Sequence, residues 1–243
     1  MIRVEPRTSV IEKRVKDVNR IIAVASGKGG VGKSMVATTL ALNLSDRGKK
    51  VGLLDLDIYG PSSHIILGTR PDGFPEEDNG IDPYTVSSLK FMSIVYFTQD
   101  KPGAFRGGDI TNIIIELLAI IQWRDLDYLV IDMPPGIGDE VLDILSYLSR
   151  AEFLVITTPS KVAYGPVEKL VRILLEYDAK IFGVIENMKH KDSSFDSTML
   201  NGLHIPYLGS IGFDMSVEDA VGSPRDLLKT EFSKDLEQII RKL

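Results

Sequence analysis

One octapeptide constrains this chain more than anything else in it. Gly27-Lys28-Gly29-Gly30-Val31-Gly32-Lys33-Ser34 fits G-x-x-x-x-G-K-[ST] without a gap. It follows the β-branched run at 20–26 (RIIAVAS) and opens a segment predicted to be helical over 34–47, with Gly48 as its C-cap. Strand, loop and helix in that order is the context such a loop requires. The glycines let backbone N–H groups converge on phosphate oxygens, and the helix N-terminus adds partial positive charge. Lys33 is placed to reach the β- and γ-phosphates of a nucleotide, and the Ser34 hydroxyl to ligate Mg²⁺. Met35, just inside the helix, joins the loop residues as an expected nucleotide contact.

The rest of the chain repeats the alternation. Strand candidates at 50–54, 90–95, 128–132, 153–157, 180–185 and 207–210 are interleaved with predicted helices at 109–123, 139–149 and 165–176. A short helix over 8–18 precedes them, and one over 229–243 follows. Residues 69–90 read as loops with room for a small hairpin, and 188–204 as a polar loop. Such a pattern implies an α/β fold: a three-layer, doubly wound, mostly parallel sheet with helices on both faces. Ligands of such sheets sit outside the carboxyl ends of the strands. No linker divides the chain, so 1–243 is expected to be one domain with an N-terminal helical extension (1–18) and a C-terminal helix.

Charge and cysteine usage narrow the function. Lys and Arg number 28 against 34 Asp and Glu, a net charge of −6, so a general nucleic-acid partner is not expected. No apolar run of about 18 residues is available to span a membrane, and MIRVEPRTSVIEKRVKD is too charged for a signal peptide. A cytoplasmic protein is expected. Cysteine is absent, which removes disulfides, thiol catalysis and cysteine-held metals from this polypeptide.

Carboxylates cluster where the chemistry needs them. Asp55 and Asp57, in LLDLDIYGPSSH, leave the second strand on one face beside the glycine-rich loop. One of the pair can orient an attacking water while the other supports a magnesium shell. Asp132 ends the apolar strand Tyr128-Leu129-Val130-Ile131, the arrangement in which a carboxylate holds Mg²⁺, usually through water. Asp139 closes Pro134-Pro135-Gly136-Ile137-Gly138-Asp139, either as part of a mobile loop or as the N-cap of the next helix.

Lys28 adds a resemblance. K-G-G-V-G-K-[ST] is similar to the deviant Walker A loop of the P-loop NTPases that include MinD, ParA, the nitrogenase iron protein and Mrp. That resemblance implies an ATP-dependent homodimer in which Lys28 reaches the phosphates of the facing subunit, slow ATP hydrolysis, and a water-positioning role for Asp57. Longer strings resemble the Mrp family of iron–sulfur cluster carriers: DLDIYGPSSH, the run from Trp123 to Asp139, Arg106-Gly107, and Gly183-Val184-Ile185-Glu186-Asn187-Met188. On that likeness Asn187 bonds the adenine edge, and Gly212, Phe213 and Asp214 lie in a loop closing over the purine. Lys28, Lys33 and Asp57 form the implied catalytic set; Ser34, Asp55 and Asp132 form the magnesium set.

Two departures stand out. Ile137 replaces the usual Thr of P-P-G-T-G-D. The family's C-P-x-C after E-N-M is missing, and Ser193 and Asp196 occupy its places by ungapped count. Neither offers the soft thiolate that iron–sulfur clusters prefer, so no intrinsic cluster is expected, and a role in cluster assembly would run through a cysteine-bearing partner. The alternative reading is a positioning ATPase like ParA or MinD, acting on a surface. The stripe Phe232, Leu236, Ile239, Ile240 and Leu243 bears on it. Its mixed-charge polar face suits docking on the domain better than a membrane. His190, Asp192, Asp196 and His204 read as a solvated loop rather than a metal site, and Trp123 as packing.

Overall fold

The structure, a computed structural model, describes residues 6–70, 75, 77–98, 107–190 and 202–241. Eight strands form one sheet: β1 (Val18–Ser26), β2 (Val51–Asp55), β3 (Tyr84–Val86), β4 (Leu89–Ser93), β5 (Leu126–Asp132), β6 (Ala151–Thr157), β7 (Lys180–Lys189) and β8 (Tyr207–Gly212). Their order is β3-β4-β2-β5-β1-β6-β7-β8. Every pairing is parallel except the hairpin of β3 on β4.

Ten helices connect the strands among the described residues: α1 (Thr8–Val15), α2 (Lys33–Asp46), α3 (Ser63–Ile66), α4 (Val95–Thr98), α5 (Gly107–Ile120), α6 (Asp139–Tyr147), α7 (Lys161–Glu176), α8 (Ser216–Ala220), α9 (Pro224–Leu227) and α10 (Glu231–Ile240). The central strands are buried on both faces, so β2 and β6 are buried along their whole length. This accounts for their continuous apolar runs, since a half-covered strand would alternate.

The topology fixes where a ligand can sit. From β1 the chain crosses to β2 on one side of the sheet, whereas β6, β7 and β8 extend it on the other. The crevice at such a reversal opens at the carboxyl end of β1, where the glycine-rich loop begins. At the far side of the sheet α10 buries Phe232, Leu236, Ile239 and Ile240. Four residues of the C-terminal stripe are thereby docked on the chain's own core; Leu243 lies outside the described residues. Trp123 is fully buried, and a Cβ on Gly52 would come 2.8–2.9 Å from its ring.

Three expectations need correction. Helix α7 begins at Lys161, not 165, and keeps Pro166 inside it. The Gly165-Pro166 pair reads as a helix start, but buried Ala163, whose N–H donates to the Ser160 carbonyl, extends the helix backward. Strand β7 runs to Lys189 because pairing with β8 continues to Lys189↔Gly212. Asp139 is not an N-cap: Gly138 holds that place in extended conformation, and Asp139 is the first helical residue, beside Glu140, where acidic charge favours the helix dipole.

Candidate functional site

Backbone geometry makes the cradle. Gly30 and Gly32 adopt left-handed conformations, at φ +77° and +78°. Gly32 is the N-cap of α2 and has no side chain with which to cap it, so the first N–H groups of the helix stay available to a ligand. Gly27 is required for a different reason. A Cβ there would lie 2.5 and 2.6 Å from the carbonyl carbon and oxygen of Pro166, so α7 packs directly on the loop's entrance. The Ser26 hydroxyl donates to the Lys28 carbonyl at 3.0 Å and closes the turn.

Beneath this loop lies a charge cluster. Lys33 is buried, its Nζ ion-paired with Asp132 and 3.9 Å from Asp57 Oδ2. Asp132 Oδ2 accepts from the Ser63 hydroxyl at 3.2 Å. Asp55 accepts backbone N–H bonds from Asp57 (3.0 Å), Ser62 (3.2 Å) and Ser63 (3.1 Å). Burial, and then the neighbouring Asp132, push the Asp55 carboxyl well above the ordinary aspartate range. Burial likewise raises Asp132, with the Asp57 charge adding to it and Lys33 pulling the other way.

Lys33 is ion-paired with Asp57 and Asp132, and Asp55 lies beside them, so the cluster holds more carboxyl groups than cations. Of the residues expected to serve a metal, Ser34 borders the open crevice while Asp55 and Asp132 are fully buried behind it. The crevice, of about 430 Å³, is lined by the loop from Lys28 to Met35 together with Asp57, Ser62, Ile65 and Pro135. Hydroxyl and carboxylate donors suit a hard divalent cation such as Mg²⁺.

A second cavity, of about 350 Å³, adjoins the first and shares Gly32 and Met35 with it. Asn187, Gly212, Phe213 and Asp214 line it, so the structure brings every sequence-predicted purine contact to one place. Asn187 is buried, and its Nδ2 donates to the Val31 carbonyl at 2.8 Å, which fixes the amide against the loop. Its Oδ1 is buried without a hydrogen-bond partner among the described residues. A buried acceptor left without a partner costs about 1–3 kcal/mol.

Asp214 is committed elsewhere. Its carboxylate accepts from the Ser216 N–H and hydroxyl (2.9 and 2.7 Å) and from the Phe232 N–H at 3.0 Å. It therefore shapes the pocket wall rather than presenting a charge to a base. Phe213 is half exposed and stacks on His190, ring centroids 5.0 Å apart.

Sequence reading missed Met215, Val217 and Glu218, which line the second cavity, and Val221, which lines the first. They belong to α8 and its flanks, too short for hydrophobic periodicity to reveal. Arg106, Asp192, Ser193 and Asp196 lie outside the described residues. His190 is 14 positions from His204; both are exposed.

A glycine-rich loop between β1 and α2, at the reversal point of a parallel sheet, defines a P-loop NTPase. The family model described as NUBPL iron-transfer P-loop NTPase, of the ParA group, matches residues 17–243. The chain belongs to that family. It is similar to the iron–sulfur cluster carrier protein of Saccharolobus solfataricus, 34% identical over 86% of this chain and 76% of that one. A cytosolic Fe–S cluster assembly factor Nubp2 homolog of Drosophila pseudoobscura pseudoobscura is also 34% identical, over 92% and 95%. The carrier protein of Aquifex aeolicus is 41% identical, but the chain spans only half of its length.

Among solved structures, a nucleotide-binding protein from Archaeoglobus fulgidus in complex with ADP superposes with a TM-score of 0.79 at 28% identity, over 94% of this chain and 96% of that one. MinD of Pyrococcus furiosus, at 23% identity and a TM-score of 0.66 over 93% and 99%, shares the fold.

Proposed function

We propose that this chain is an ATPase that binds Mg-ATP across the two adjoining cavities and hydrolyses it slowly. Phosphates lie in the glycine-rich loop and the adenine in the cavity that Asn187 borders. The observation that carries this reading is the burial of Lys33 among Asp57 and Asp132, directly under the loop. A lysine held there by carboxylates is positioned to exchange part of their charge for that of phosphate oxygens.

Asp57, whose Oδ1 accepts from the Gly60 N–H at 3.1 Å, is the water-positioning residue of the proposal. The Ser34 hydroxyl would hold Mg²⁺, supported by Asp132 and Asp55. The bound ion would neutralise charge developing on the phosphates. Asn187 Oδ1 would accept from the 6-amino group of adenine, where guanine carries a carbonyl oxygen, which favours adenine over guanine.

By likeness to the cluster carriers and assembly factors, the chain acts in iron–sulfur cluster assembly as a cytoplasmic, single-domain homodimer. Lys28 of one copy serves the nucleotide of the other. Without cysteine the chain does not itself ligate a cluster; thiolates come from a partner protein. One feature supports a soluble client over a surface: Phe232, Leu236, Ile239 and Ile240 of the C-terminal stripe are buried against the chain's own core.

Phosphate release from Mg-ATP tests the proposal. Turnover should be measurable in the wild type and fall at least about 10²-fold in Lys33→Ala, the scale of losing one preorganised electrostatic group. Equal turnover in the two proteins would contradict the assignment.

A further inference from the structure

A backbone contact far from the phosphate loop joins the two cavities in a second way. The segment from β8 to α9 walls the base-side cavity through Phe213, Met215, Val217 and Glu218, and then crosses to the phosphate side, where Val221 lines the crevice. There it meets the end of α3. The Gly222 N–H donates to the Ile66 carbonyl at 3.1 Å. Gly68 has φ +67°, and a Cβ on it would overlap the Gly222 carbonyl oxygen and lie 2.8 and 3.0 Å from its carbon and Cα. Gly222 itself is left-handed, at φ +85°. Both positions therefore demand glycine, one for space as well as conformation, the other for conformation alone.

Helix α3 is held at its other end by the charge cluster. Asp55 Oδ2 accepts from the Ser62 and Ser63 N–H groups, and the Ser63 hydroxyl bridges Asp132 and Thr38. The Asp57 loop lies between Asp55 and this anchored helix. So α3 is clamped, with buried carboxylates at its start and the base-cavity wall at its end. Displacement of either end without the other would break named hydrogen bonds.

Resting on the ATPase reading above, we infer that Gly68 and Gly222 form a clasp through which an occupied base cavity fixes the Asp57 loop. The two glycines are positioning residues: neither touches nucleotide, and both act through α3. A base that packs against 213–218 stiffens that wall, the clasp carries the restraint to 66–68, and α3 passes it to the loop that bears Asp57. Hydrolysis thereby becomes responsive to the base as well as to the triphosphate.

Adenosine is the probe, because it fills the base cavity and has no phosphate with which to touch the loop. Amide hydrogen exchange is followed with and without millimolar adenosine. In the wild type, exchange should slow at least threefold both in 213–218 and in 62–68. In Gly222→Ala the first segment should stay slowed and the second should not. That variant meets no atom closer than 3.8 Å and strains only its own turn, so it remains testable if Gly68→Ala fails to fold. In parallel, kcat for Mg-ATP should fall about tenfold in Gly222→Ala while KM stays within twofold, a split that a uniformly loosened fold would not give. Slowing confined to 213–218 in the wild type, or coupled slowing retained in Gly222→Ala, would overturn the clasp. Slowing in neither segment would overturn it together with the base-cavity assignment.

Discussion

The two ends of the parallel sheet each bury charge, and they balance it in opposite ways. At the amino end Arg20 of β1 forms a fork with Glu152 of β6, Nε to Oε1 at 3.2 Å and Nη2 to Oε2 at 2.7 Å. Lys180 of β7 adds a third bond at 2.9 Å. Arg150 nearby donates to the Val15 and Val18 carbonyls. The Glu152 carboxylate is surrounded by cations. Burial alone would raise it, but the Arg20 and Lys180 hydrogen bonds outweigh that and hold it below the ordinary glutamate range. At the carboxyl end Asp57 and Asp132 pair with one lysine, Asp55 lies beside them without a cation of its own, and burial pushes Asp55 and Asp132 upward. A satisfied cluster stabilises a fold, whereas an unbalanced one in a crevice is where a cation and a polyanion gain most. The proposed site sits at the end where carboxyl groups outnumber cations.

Substitutions can break that contrast. The largest effect is expected at the carboxyl end. Asp57→Asn should lower Mg-ATP turnover about 10²-fold while thermal stability changes by no more than about 1 kcal/mol, since Asp57 Oδ2 stands 3.9 Å from Lys33 and Asp132 keeps its own ion pair with that lysine. A melting curve beside a phosphate-release assay checks both halves; a large loss of stability would mean that the cluster is structural after all.

Asn187→Ala comes next. It should weaken ATP binding about tenfold, or ~1.4 kcal/mol, by removing both the bond to Val31 and the amide that borders the proposed base cavity. Competition with GTP would show the discrimination narrowing at the same time.

At the amino end Glu152→Gln should leave turnover unchanged and cost about 1.5–3 kcal/mol, the range for hydrogen bonds to charged groups. For a chain of this size that is about 2–4 °C in Tm for each kcal/mol.

The smallest effect is the pH dependence of that difference. The folded-state value of Glu152 lies below its unfolded value. Its contribution is therefore complete above the unfolded range, about pH 4.3, and is lost as pH falls through the depressed folded value. The stability gap between wild type and Glu152→Gln should close below about pH 4; a gap that widens on acidification would contradict the pairing.

The sequence exposed the carboxyl end far better than the amino end. A contiguous octapeptide with obligatory neighbours declares a phosphate cradle, and strand-terminal Asp55 and Asp132 are visible because apolar runs point to them. The Arg20, Glu152 and Lys180 cluster gives no such sign. Its members come from three strands, and parallel register alone brings them together, as in the pairing Glu152↔Lys180. Helices α3 and α8 were hidden for another reason. One short turn carries no period, and their places are set by backbone contacts such as Gly68 against Gly222. Asp214 was identified as a pocket residue, but its bond from the Phe232 N–H depends on α10 returning to that corner, which no local pattern announces.

Calorimetric titration of ATP, with Mg²⁺ and with a chelator in its place, tests the charge imbalance most directly. The account predicts one site per chain, affinity at least about tenfold tighter with Mg²⁺, and no detectable binding to Lys33→Ala. Full-affinity binding to Lys33→Ala, or equal affinity with and without the ion, would contradict it.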